Sequence, residues 1–235
     1  MTKKAEKKDI LELDVTQMAQ AGLHFGHRTS SIHPKMKPYI FGSRNGVHIM
    51  DLDKTKEKFQ EVLGIIKDLI SENKVLLLVG TKIQIKDLVK KTAEACGLPY
   101  VSERWLGGTF TNFSAFLKRI EYYKNLEKQK ETGEWEKYTK KEKARLLKEL
   151  NDLEIKFKGI KDLPKLPDAI FVCDMKTDQL AAKEARMKGV KVIGISDTNI
   201  NPNQADFFIP ANDDAVSSVR YILEKIQETV LKAKA

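Results

Sequence analysis

Four aspartates stand just past short apolar runs: Asp174 after Ala169–Val172, Asp197 after Val190–Gly194, and Asp213 with Asp214 after Phe207–Ile209. The runs are too short for helices and rich in β-branched or aromatic residues, so they read as buried strands. Carboxylates gathered at strand ends can act as general acid and base, hold a hard cation, or cap turns. In an open α/β sheet that edge is where a ligand normally sits. Catalysis also needs a partner of another type, and no His, Cys or Lys stands at a matching strand end. Asp197 and Asn199 are therefore expected to shape a turn, and Asp213 or Asp214 to cap the next helix. An acidic edge on a basic protein repels phosphate, so Asp174, Asp197, Asn199, Asp213 and Asp214 are assigned to contact with a protein partner.

A second candidate lies in the stretch LHFGHRTSSIHPKMKPYIFGSRNGVHIM. It carries His24, His27 and His33, the cations Arg28, Lys35, Lys37 and Arg44, and two prolines that forbid regular helix. Zinc would need further ligands at fixed spacing, and no cysteine accompanies these histidines, so no metal is expected. Cations with aromatic neighbours suit RNA instead, because guanidinium and aromatic planes stack on bases while lysine meets phosphate. Arg104 beside Trp105, before Gly107 and Gly108, offers another stacking pair. Gly80-Thr81-Lys82 follows a strand, but G-x-x-x-x-G-K-[ST] and G-x-G-x-x-G are both absent, so a tight turn is expected rather than a nucleotide site. No cofactor or small-molecule substrate is implied.

The elements that must position these residues follow from periodicity. Val75–Val79 and Pro99–Val101 add two strands to the three above, which predicts a doubly wound, mainly parallel five-stranded α/β sheet. Helices are expected over Val15–Ala21, over 53–71 with Asp53 as cap, from Lys82 to Cys96, over Asp178–Lys188 ended by Gly189, and over Ala215–Ala235. Asn45-Gly46 between Tyr39–Phe41 and Val47–Ile49 predicts a small β-hairpin. In residues 112–158, Phe113, Phe116, Ile120 and Tyr123 step like one arm of an antiparallel coiled coil; Leu146, Leu150, Leu153 and Phe157 step like the other. Gly133 marks its tip, and Thr139 with Glu142 makes a capping box. The expected organisation is a globular body of residues 1–111 and 159–235 with this hairpin inserted. Residues 1–10 are expected to fray.

Of the 235 residues, 42 are basic and 33 acidic, a net charge of +9. The excess is +5 over residues 1–111, +5 over 112–165 and −1 over 166–235. A polyanionic partner would meet the first two parts. On the hairpin, Lys118, Arg119, Lys140, Lys141 and Arg145 are candidate RNA contacts, although interleaved acids will neutralise part of that face. Cys96 and Cys173 fall in a helix end and a buried strand, which suits a reduced cytoplasmic chain. With no 18-residue apolar run and a polar N-terminus, neither a membrane span nor export is expected.

The stretches AGLHFGHRTSSIHPKMKPYIFGSRNGVHIMDLDKT, VLLLVGTK, RWLGGTFTNF, LPDAIFVCDMKTDQLAAKEA and ISDTNINPNQADFFIPANDDA, in that order, resemble the S-two family of bacterial small-subunit ribosomal proteins. The resemblance covers about 200 residues. It departs mildly at Met175-Lys176-Thr177. It implies a structural role without chemistry: binding of 16S rRNA near the junction of head and body, and recruitment of neighbouring subunit proteins, the first protein of the subunit among them. The rival reading is an α/β enzyme handling a sugar phosphate or nucleotide at the sheet edge. Whether the purified protein carries RNA or turns over a phosphorylated metabolite separates the two.

Overall fold

Strands of four residues bury too little by themselves, so those at the centre of the large sheet are covered on both faces. In a computed structural model describing residues 13–234, β4 (Leu76–Val79) and β6 (Ala169–Val172) are buried at every position. With β5 (Tyr100–Val101), β7 (Lys191–Ser196) and β8 (Phe207–Pro210) they form a parallel sheet in the order β5-β4-β6-β7-β8. This is the expected five-stranded sheet. Its strand order reverses between β4 and β6, where such folds normally leave a ligand crevice. The expected fraying of residues 1–10 lies outside the described residues.

Alternation along the strands divides the core in two. Leu76, Leu78, Phe171, Ile193 and Ile195 face one cluster, closed by α1 (Val15–Gln20), α2 (Leu52–Ser71), α3 (Lys86–Cys96) and α7 (Val216–Lys234). Leu77, Val79, Ile170, Val172 and Val192 face the other, closed by α4 (Phe113–Glu131), α5 (Lys140–Phe157) and α6 (Gln179–Met187). The α4–α5 hairpin turns through Gly133 in a left-handed conformation, and α5 begins with the anticipated capping box of Thr139 and Glu142.

Three boundaries differ from expectation, each for a local reason. Asp51, not Asp53, caps α2, accepting from the Asp53 and Lys54 backbone N–H groups. α3 starts at Lys86 rather than Lys82, because the Thr81–Lys82 turn is tied elsewhere. Ahead of α7, Asn212 takes the capping role expected of Asp213 or Asp214: its Oδ1 accepts from the Asp214 and Ala215 N–H groups at 2.9 and 3.2 Å.

The N-terminal hairpin is one strand larger than expected. β2 (Ile40–Arg44) and β3 (Val47–Met50) join through Asn45 and Gly46, both at positive φ as the tight turn requires. β1 (Phe25–Arg28) pairs on the far side of β3, giving the order β1-β3-β2. Between β2 and β1 runs a 3-10 turn, Pro34–Tyr39, a tighter helix that tolerates Pro34 at its start.

Candidate nucleic-acid interface

The small sheet is held over the carboxyl edge of the large one. Asn212 N–H donates to Leu23 O at 3.1 Å, His33 N–H to Thr198 O at 2.8 Å, and Ser217 Oγ to Ala21 O at 2.8 Å. His27 N–H donates to Thr198 Oγ1 at 3.0 Å. Gly26 lies so close that a Cβ there would sit 2.5 Å from Thr198 Cγ2. Only glycine permits this approach.

Both neighbours of β3 carry irregular register. Phe25 and Arg28 pair with Ile49 and Val47, so three steps along β1 match two along β3. Ile40 and Gly42 pair with Met50 and Ile49, leaving Phe41 as the extra residue. Such bulges re-aim side chains. The first sends His27 inward, with Nδ1 3.1 Å from Asp197 and Nε2 3.4 Å from Asp214. The second leaves Phe41 in solvent, 82% exposed.

Beneath the small sheet the acids meet cations that sequence order does not bring near them. Lys82, just after β4, lies 3.2 Å from Asp174 and 2.6 Å from Asp214 and donates to Asp213 O at 3.1 Å. The expectation of acids without a partner is thus corrected: Lys82 and His27 both reach them. Asp174, Asp197 and Asp213 are no more than 3% exposed, so they are buried away from a docking protein, Asp174 against Lys82 and Asp197 against His27. Asp214 is at the surface, and Asn199 is half-buried. Asp178 accepts from Thr81 N–H and Oγ1 at 3.1 and 2.8 Å, placing a carboxylate where a phosphate-binding loop would hold its ligand. Two cavities, of about 490 and 480 Å³, lie at the opposite edge beside Val75, Gly97, Leu98 and Pro99.

The electrostatics of the edge follow from this burial. His27 is raised above its ordinary value by its hydrogen bond to Asp197, against burial. Burial opposes the charge on Lys82, but Asp214 and Asp174 outweigh it and hold the amine above its usual value. Asp213 is pushed up to about 8, first by burial and then by the Asp174 and Asp197 carboxylates. A raised folded pKa contributes stability that is complete below the unfolded value and lost as pH rises through the folded one. Asp213's contribution is lost between about pH 4 and 8 and His27's from pH 6.5 upward, so the two act in the same direction between pH 6.5 and 8. Stability should fall over that window, by at most about 1.4 kcal/mol per pH unit for each proton involved. Asp213→Asn, a neutral mimic of the protonated acid, should flatten most of the fall; an unchanged slope would place the titration elsewhere.

The outward face is of opposite character. Residues 15–50 contain no Asp or Glu, yet hold Arg28, Lys35, Lys37, Arg44 and all four histidines of the chain. The four cations are exposed, and among the described residues none pairs with a carboxylate. Met36, fully buried between Lys35 and Lys37, anchors the 3-10 turn that presents those two lysines. His24 is half-buried against Phe25, and burial lowers its pKa, so it is neutral at pH 7. Arg104 is exposed, but Trp105 is 6% exposed and packs edge-on against Phe110, leaving the expected stacking pair incomplete. Lys118, Arg119, Lys140, Lys141 and Arg145 are exposed along the hairpin, apart from the small sheet in sequence and element.

Two positions escaped the sequence reading. Glu184, 4% exposed on α6, accepts from the backbone N–H groups of Gly108 and Phe110 at 2.7 and 2.9 Å, and so fixes the loop that carries Arg104. Nothing in its spacing distinguishes it from a solvated helix acid. Phe41 was signalled, by the acid-free run around it.

Taken together, the sheet and its edge define a class: a doubly wound α/β protein whose ligand crevice is filled by its own chain, with the cations left outside. A sequence model described as Ribosomal protein S2 matches residues 18–233, and the chain belongs to that family. It is accordingly a structural constituent of the small ribosomal subunit in the cytoplasm, acting in translation among ribosomal partners. No helix among the described residues is long and apolar enough to cross a membrane.

Proposed function

We propose that the protein enters the small subunit by docking the acid-free face of its N-terminal sheet on 16S-type rRNA, near the head–body junction that the family resemblance implies. The observation that carries this reading is four exposed cations on a 36-residue stretch without one carboxylate, fixed to a rigid body. A preset surface loses little entropy on binding, so its charges count for more than those on mobile lysines. Asp197 and Asp214, the latter held by Lys82, support the interface from below by clamping the sheet through His27. Helping to hold a neighbouring subunit protein then falls to Asp214 and the exposed surface near it.

The hairpin of residues 112–158 is an inserted unit that adds a second, weaker contact. Its 13 basic side chains stand among 9 acids, and pairs such as Tyr122 with Glu149 and Lys124 with Asp162 use part of the surface. Its base is continuous with the body, because Phe116 and Phe157 pack with tilted rings 5.5 Å apart within the second core cluster. A footprint of 16S rRNA tests both parts. Replacing residues 121–150 by a short Gly/Ser linker should leave cooperative unfolding and most protections, and remove one separate set. Loss of every protection in that variant would make the hairpin the principal site and defeat this reading.

A further inference from the structure

Phe41 serves no packing purpose. It is the most exposed large apolar side chain among the described residues, at 82%, on the edge strand of the small sheet. A single exposed phenylalanine is ordinary by itself. Three surroundings make this one different. It is the extra residue of a bulge, so the ladder is interrupted at the point that frees its ring. The next residue, Gly42, has nothing within 4 Å of where a Cβ would be, so the strand is open to an incoming group at the position after the ring. Arg44 follows on the same strand, with no acid in the run to neutralise it. Below the bulge the strand is pinned: Tyr39 packs edge-on to Phe208 at 5.2 Å, and Lys54 Nζ donates to Pro38 O at 2.6 Å.

We propose that Phe41 is a stacking platform for one unpaired RNA base, with Arg44 holding the adjoining phosphate. The inference rests on the RNA-docking reading above and deepens it by naming a class of target, a splayed single-stranded nucleotide rather than a duplex. A flat aromatic surface accepts any base, because every base has a π-face, whereas a duplex offers its bases only within the stack. A protein occupant fits less well, since the surrounding cations would require an acidic partner with an aromatic pocket.

The test is binding of full-length protein to 16S rRNA across a salt titration, comparing Phe41→Ala, Phe41→Trp and Arg44→Ala. Stacking is not ionic, so Phe41→Ala should weaken binding about tenfold at every salt concentration without changing the slope of log K against log salt. Arg44→Ala should reduce that slope by about one. Phe41→Trp should retain affinity, with its added emission quenched by the stacked base when RNA binds, against a constant background from Trp105 and Trp135, which are buried. Unchanged affinity in Phe41→Ala, with a reduced slope in Arg44→Ala, overturns the stacking role and leaves RNA docking in place. If neither variant changes anything, the small sheet is not the RNA face and both readings fall. Emission of Phe41→Trp that responds to RNA-free subunit proteins but not to RNA makes the occupant a protein, which also overturns the proposal.

Discussion

A variant carrying Arg28→Glu and Arg44→Glu should lose 16S rRNA affinity by about 10²-fold or more, and should fail to enter the small subunit. Each arginine is exposed and among the described residues unpaired, so each is free to make a charge-assisted bond worth about 1.5–3 kcal/mol. Two such losses amount to about 3–6 kcal/mol, or 10²–10⁴-fold, before the repulsion of two new carboxylates is added. The fold should be indifferent. Arg28 and Arg44 close their strands at the solvent side, opposite Val47, and neither lies in a core cluster. The circular dichroism spectrum and melting temperature should therefore stay close to those of the parent while sedimentation with the subunit disappears. Normal incorporation would show that the acid-free face is only a solvated surface. A partial effect, with the salt slope reduced by about two, would mean that Lys35 and Lys37 carry more of the contact.

The largest expected effect on stability comes from a residue that touches no RNA. Lys82→Met should cost about 3 kcal/mol at pH 7, because Asp174 and Asp214 lose their cation while Asp174 remains 3% exposed. For a chain of this size that lowers the melting temperature by roughly 6–12 °C. The sign of its pH dependence distinguishes an electrostatic cause from simple loss of packing. Lys82 holds Asp214 below its ordinary value, so that carboxylate's contribution is present above its unfolded pKa and lost as pH falls through the depressed one. That loss begins only below about pH 4, so the deficit should hold from pH 7 to pH 4 and shrink as pH falls further. A deficit that stays constant well below pH 4 would assign it to packing alone. Lys82→Arg, which keeps the charge, should recover most of the stability. RNA affinity should drop only as far as the small sheet loosens from Asp197 and Asp214, making Lys82 a positioning residue for the interface.

Local rules were sufficient for much of this architecture. Short β-branched runs, a 3.6-residue stripe in α2, a coiled-coil step in α4 and α5, the Thr139 capping box and the Asn45-Gly46 turn depend on neighbours within a few positions, and all were readable without coordinates. So was the direction of the charge, since an acid-free run from 15 to 50 needs only counting. What the tertiary structure alone decided is which charges answer which. Lys82 and Asp214 lie 132 positions apart and His27 and Thr198 171 apart, and no periodicity relates them. Their meeting follows from the strand order, which brings the ends of β4, β6, β7 and β8 to one edge, and from β1, whose four residues are a strand only because β3 is there to pair with it. Read along the chain, four aspartates are an acidic edge open to a partner. Folded, three of them are buried under the sheet that carries the cations: an unpaired carboxylate cannot leave water, so Asp174 is buried beside Lys82 and Asp197 beside His27, while Asp213 keeps its proton up to about pH 8.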